Sequence, residues 1–186
     1  MTRDETTACL ARAALRAILV LALSALLGAC ATLDKDQCLR ADWYAIGLED
    51  GARGQPLERA GDHRRACAEY GVTPKIEPYL AGRNEGLKSY CTYEKGLSVG
   101  RAGQSYSGVC PAALAGNFTA GFQRGKDMYD LRRRLETVNE QIRKTKAALT
   151  AGIPNPRVRE AEVARLEDLS REAEQLEQRI AALEGR

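Results

Sequence analysis

Four times in this chain an aromatic residue is followed by glycine three positions on and by a second glycine four further: Tyr44/Gly47/Gly51, Tyr79/Gly82/Gly86, Tyr93/Gly96/Gly100 and Phe118/Gly121/Gly125. Residues four apart share one face of an α-helix, and glycines there leave a groove without side chains that another backbone can enter. Each glycine inside a helix costs about 1 kcal/mol relative to alanine, so the repeated spacing speaks for a packing demand that offsets the loss. A phosphate-cradling glycine loop is the competing reading. It needs a strand before the glycines and a Lys-Ser or Lys-Thr pair after them, and no copy has either. The gaps between copies are irregular, which excludes a solenoid of constant period.

Helix packing sets the fold class. Pro56, Pro78 and Pro111 suit first-turn positions and Gly71 suits a helix end, so helices are expected over residues 36–53, 56–70, 76–89, 92–101 and 111–150, with a loop at 102–110. No run alternates polar and apolar residues with the strand period. The expected class is all-α.

At the N-terminus Arg3, Arg12 and Arg16 precede the apolar run 17–27, whose eleven residues are too few to span a bilayer, which takes about 20. A basic flank, a short apolar core and small residues after it make a secretory signal over residues 1–29. The run ends in Leu27-Gly28-Ala29-Cys30, which resembles the lipobox of bacterial lipoproteins. That resemblance implies a diacylglycerol on the Cys30 thiol, cleavage before it and acylation of the new amine; the alternative is ordinary cleavage after Ala29 beside an incidental cysteine. Several acyl chains, at about 0.8 kcal/mol per buried methylene, make membrane lipid a stable partner where one chain would not. Ala31 is not the aspartate that retains such proteins in the inner membrane, which implies the periplasmic face of the outer membrane.

Export bears on the remaining thiols. Of six cysteines, Cys9 leaves with the signal and Cys30 is lipidated, so Cys38, Cys67, Cys91 and Cys110 remain. An even set in an oxidising compartment reads as two disulfides, for which three connectivities exist. Cys38 with Cys67, joining the first two helices, and Cys91 with Cys110, closing the 102–110 loop, is the favoured set. Each bridge contributes about 2–4 kcal/mol, which matters to a glycine-rich domain with a small core. A zinc site from these thiols and His63 would need a Cys-x-x-Cys pair, which is absent, so no metal or cofactor is expected. His63 and Cys67 are four apart on one helix face, but Cys67 has a better use as a half-cystine than as a nucleophile.

Of 28 basic and 25 acidic residues, three and two fall in residues 1–29, which leaves 25 and 23 and a net charge of +2. That balance does not point to nucleic acid. Asp42, Trp43, Tyr44 and His63 form a candidate ligand or packing site, with Glu49, Asp50, Glu58 and Asp62 nearby in sequence. Charges on short helices usually form the solvated face, and a lone histidine reads first as a capping or packing residue. No catalytic signature is present, and no catalytic residue is assigned.

Cys38-Leu39-Arg40-Ala41-Asp42-Trp43-Tyr44-Ala45-Ile46-Gly47, then Gly51, His63, Cys67, Tyr70-Gly71-Val72, Tyr79-Leu80-Ala81-Gly82-Arg83, Gly86-Leu87, Tyr90-Cys91 and Val109-Cys110-Pro111 together resemble the proteobacterial lipoprotein family called domain of unknown function 2799. The resemblance covers about residues 30–135 and implies no activity.

All ten aromatic residues lie between Trp43 and Tyr129, and a dense charged pattern follows Lys126. The chain is therefore expected to divide into the signal 1–29, a Gly/Cys-rich domain 30–125 and a tail 126–186. In the tail Leu131, Leu135, Val138, Ile142, Thr145 and Leu149 form one a/d seam, and Leu166, Leu169, Ala173, Leu176, Ile180 and Leu183 form another. Between them Gly152 ends a helix, Asn155 caps the next and Pro156 starts it, so the arms are expected to fold antiparallel. Residues 126–149 carry a net +3 and residues 157–186 a net −2, which favours their pairing with each other. The expectation is a structural or interaction module of the cell envelope whose tail 126–186 meets an envelope protein partner. The rival is a cell-wall or small-ligand enzyme or sensor.

Overall fold

The computed structural model describes residues 32–185, so the expected signal segment and Cys30 lie outside the described residues. Those described form seven α-helices: α1 Lys35–Leu39, α2 Trp43–Ala52, α3 Arg59–Ala68, α4 Ile76–Tyr90, α5 Tyr93–Arg101, α6 Ala112–Ala151 and α7 Pro156–Glu184. There is no strand among them, and the fold is all-α. None of these helices is long and apolar enough to cross a membrane.

The single helix expected over 36–53 is instead two. The Asp42 carboxylate accepts from the Tyr44 and Ala45 amides at 3.0 and 3.2 Å, which starts α2 afresh. Upstream, Asp34 and Gln37 cap α1 reciprocally. The helix expected from residue 56 begins only at Arg59, because Pro56 to Glu58 form a turn whose carbonyls take the Arg59 to Asp62 amides. Pro111 stands just outside α6 as its N-cap and not within its first turn.

The glycines explain the rest. A β-carbon added to Gly47 would lie 2.0 Å from the Tyr79 carbonyl oxygen, and one on Gly51 would lie 2.2 Å from that of Arg83. Reciprocally, Gly82 faces the Tyr44 carbonyl at 2.0 Å and Gly86 that of Leu48 at 2.1 Å. Residue numbers rise together on both sides, so α2 and α4 run parallel in backbone contact. The second pair repeats this arrangement: Gly96 and Gly100 face the Phe118 and Phe122 carbonyls at 2.1 and 2.2 Å, and Gly121 and Gly125 face those of Tyr93 and Leu97 at 2.0 and 2.3 Å. At each site the hydrogen standing in for the side chain points at a carbonyl oxygen, the geometry of a Cα–H···O contact. The glycines are a packing device, as expected, and the register is identical in both pairs.

That identity exposes a duplication longer than the glycine pattern. Tyr44–Gln55 and Tyr93–Gln104 agree at Tyr, Gly, Leu, Gly, Gly and Gln, and Tyr79–Tyr90 and Phe118–Tyr129 agree at Ala, Gly, Gly and Tyr. The agreement extends to conformation. Gly54 and Gly103 take φ of 68° and 67° at the ends of α2 and α5, and each lies against the ring of the matching tyrosine, Tyr90 or Tyr129. Gln55 and Gln104 then donate backbone bonds of 2.9 and 3.2 Å to the Asp50 and Val99 carbonyls, which closes each helix with a left-handed glycine cap. The structure therefore comprises two parallel-helix units, α2 with α4 and α5 with α6.

A parallel pair needs a crossover, and each crossover is tied by a disulfide. Cys38 to Cys67 joins α1 to α3, which lies within the first crossover, with Cα atoms 5.4 Å apart. Cys91 to Cys110 brackets α5 and the following loop, with Cα atoms 5.7 Å apart. Both are the favoured pairings. Leu87, Tyr90 and Cys91 join Val99, Cys110 and Phe118 in one core cluster, so the C-terminal end of α4 packs into the second unit.

α6 belongs to two structures at once. Its first part is the second partner of α5, and it runs unbroken through residue 126 into the tail. Gly152 ends it, and Asn155 accepts from the Arg157 and Val158 amides to cap α7, with Pro156 in the first turn. Leu131, Leu135, Val138 and Ile142 then pack against Leu169, Ala173, Leu176, Ile180 and Leu183. Arg134 pairs with Glu172 at 2.7 Å and Arg132 with Glu184, an order that makes the arms antiparallel. The α7 terminus returns to the second unit, where Arg124 bonds both the Tyr93 hydroxyl and the Leu183 carbonyl.

Candidate functional site: a buried polar network in the first unit

On nearly the same backbone the two units fill their cores differently. At matched positions the second unit has Val99, Phe118 and Phe122 where the first has Asp50, Tyr79 and Arg83. In the second unit Tyr106, from the crossover loop, packs on Phe118 with ring centroids 4.4 Å apart, and Tyr90 stacks on the same ring at 5.1 Å. The Tyr106 hydroxyl accepts from the Cys110 amide at 3.0 Å, and the rest of that core is apolar.

In the first unit the crossover helix α3 supplies His63, only 2% exposed, whose ring meets Tyr79 edge-on at 6.1 Å. One oxygen of the buried Asp50 carboxylate accepts from the Tyr79 hydroxyl and from His63 Nε2, each at 2.8 Å. The other ring nitrogen, Nδ1, meets the Thr32 hydroxyl at 2.8 Å. Nε2–H points at the carboxylate, and Nδ1 meets the Thr32 hydroxyl as acceptor when the ring is neutral and as donor when it is charged. Beside it the buried Arg83 donates from Nη2 to the Gln55 carbonyl at 2.8 Å.

Burial pushes the Asp50 carboxyl upward. Hydrogen bonds from His63 and Tyr79, with the charges of His63 and Arg59, outweigh it and hold the group below the ordinary carboxylate value. Tyr79 moves the other way: burial first, then its bond to Asp50 and that anion's charge, push the phenol far above its ordinary range. A hydroxyl, an imidazole and a carboxylate in line also form the connectivity of an activated nucleophile. Both ring nitrogens are engaged, His63 and Asp50 are buried, and Thr32 is the outermost, half-buried member of the line.

Of the four residues expected at the site, only His63 belongs to this network. Asp42 spends its carboxylate on the α2 amides. Trp43 is buried among Leu33, Cys38, Cys67 and Tyr79. Tyr44, one position on and thus about 100° around the helix, is 44% exposed. The three are adjacent in sequence and therefore point apart. Cys67 is a half-cystine, as expected, and no partner of His63. Asp50, Tyr79 and Thr32 were missed as members of the site, although the signal existed: aligned copies of the repeat set Asp50 against Val99 and Tyr79 against Phe118.

The family model described as protein of unknown function (DUF2799) matches residues 42–127, which takes in both helix pairs and the network apart from Thr32. No curated protein and no solved structure matches the chain.

Proposed function

We propose, for a chain whose residues 42–127 are a DUF2799 domain, that it is a lipoprotein anchored through acylated Cys30 on the periplasmic face of the outer membrane. It acts there as a structural or protein-interaction module of the envelope. The observation that carries this reading is Leu27-Gly28-Ala29-Cys30 at the end of the apolar run. Two disulfides within a small domain fit the oxidising compartment such a signal leads to. The module's reach comes from α7, whose 29 residues extend about 44 Å at 1.5 Å per residue. Asp127, Asp130, Arg134, Glu172 and Arg179 line a groove of mixed charge along the hairpin, a surface suited to a charged protein partner. The rival reading, a cell-wall or small-ligand enzyme around Asp42, Trp43, Tyr44 and His63, is weaker because Asp42 caps α2, Trp43 is buried in the core and Tyr44 faces solvent.

Cys30→Ala should move the protein from the membrane to the soluble fraction and abolish incorporation of labelled palmitate. An unchanged distribution would refute the anchor. Crosslinking of the lipidated protein in envelopes, with and without residues 151–186, tests the hairpin as the contact surface; a partner captured equally by both forms assigns the contact elsewhere.

A further inference from the structure

We infer that the polar core of the first unit is a docking site for the chain's own anchor-bearing segment, and that it holds the folded domain against the bilayer with Ala31 alone between Cys30 and the docked Thr32. The lipid surface as partner rests on the anchor proposed above. The docking itself rests on the comparison between the two units. The second unit shows that this backbone closes around Val99, Phe118 and Tyr106 with no polar network. Asp50, His63 and Tyr79 are therefore not demanded by the helix pairing. A buried polar network stabilises no better than an apolar core of the same shape, so it marks a task that the second unit lacks.

The outer member of the network names the task. Thr32 meets His63 Nδ1, and Leu33 beside it is buried among Cys38, Trp43, Cys67 and Tyr79. Asp34 follows at once as the cap of α1, with its carboxylate on the Gln37 amide at 2.8 Å. Three successive residues are thus engaged by a hydroxyl bond, apolar burial and a helix cap, and Cys30 lies two residues before the first of them. Two residue steps reach at most about 7 Å, comparable to the depth of one headgroup layer, so a docked Thr32 leaves the domain no slack. The second unit enters from α4 through Cys91 and has no anchor to receive, and its matching positions are apolar.

Two experiments separate the docking from the anchor. In the soluble full-length Cys30→Ala chain, hydrogen exchange of the peptide 32–39 should be slow. Replacing the network by its apolar counterparts, Asp50→Val with His63→Leu and Tyr79→Phe, should speed it at least tenfold and leave α5 and α6 protected. Thr32→Val, which removes only the hydroxyl, should act the same way to a smaller extent and guards against a triple variant that fails to fold. Fast exchange of 32–39 in the parent chain, or no change in any variant, overturns the docking whatever the fate of Cys30. In the second experiment the lipidated protein carries a click-attached fluorophore at the exposed Lys35, on vesicles of phosphatidylethanolamine and phosphatidylglycerol with nitroxide headgroups. Quenching should fall at least twofold when 20 Gly/Ser residues are inserted after Ala31. Equal quenching with and without the insert shows that the domain is not held at the surface. A chain that stays off the vesicles with unmodified Cys30 removes the anchor, and the exchange result then judges the docking alone.

Discussion

Asp50 shows how much of the first unit rests on one carboxylate. Asp50→Val would strand the His63 Nε2–H and the Tyr79 hydroxyl inside the core. At about 1–3 kcal/mol for each of the two unsatisfied groups, the loss should come to about 2–6 kcal/mol in urea unfolding, a large share of a small domain's stability. The pH dependence has a definite sign. Because the folded carboxyl titrates below its unfolded value of 3.8, its contribution is complete above about pH 5 and is lost as the pH falls through the depressed folded value. Unfolding midpoints from pH 7 down to pH 2 should decline for the parent and stay flatter for Asp50→Val; a parallel decline would show that other groups carry the acid sensitivity. Sequence reading found His63 here because a lone histidine attracts notice. It passed over Asp50, since an acidic residue on a short helix is usually solvated and only the distant Tyr79 and His63 make burial tolerable.

At the scale of elements, the glycine spacing was the most legible signal and also the most demanding one. A methyl on Gly82 would sit 2.0 Å from the Tyr44 carbonyl, which belongs to the backbone and cannot swing away, so Gly82→Ala must part α2 from α4. That places it at the upper end of overpacking costs, about 3 kcal/mol, even though alanine is the better helix former. Gly116 is the control. It lies in the same kind of helix with nothing within 4 Å, and Gly116→Ala should raise stability by up to about 1 kcal/mol. Thermal melts of the two variants should move in opposite directions; if both fall, glycine is wanted for a reason other than backbone approach. Period and breakers located five of the helices to within a few residues. The break between α1 and α2 was not legible, because Asp42 reads equally as a helix interior residue or a cap until its amide partners are placed. Parallel pairing was illegible too, since the same face on two helices fits either direction and only the crossover and its disulfide decide.

For the whole molecule, the hairpin is where sequence and structure agree most fully, because a heptad seam buries itself in a neighbour joined by a four-residue turn. The full-length Cys30→Ala protein should sediment as a monomer, and truncation at Thr150, which uncovers Leu131, Val138 and their neighbours, should make it associate. A full-length dimer that becomes monomeric on truncation would show that the arms pair between molecules. The disulfides carry a different consequence. Cys38 with Cys67 and Cys91 with Cys110 are each consecutive among the described cysteines, neither nested nor crossed. A chain emerging from its N-terminus and oxidised as each thiol appears acquires this set without reshuffling, provided the count begins at Cys38. A free thiol at Cys30 would shift the count by one, pairing Cys30 with Cys38 and Cys67 with Cys91 and leaving Cys110 over. Conversion of Cys30 to a thioether, as proposed, would therefore do more than tether the protein: it would remove the one nucleophile able to put the order of bond formation out of step.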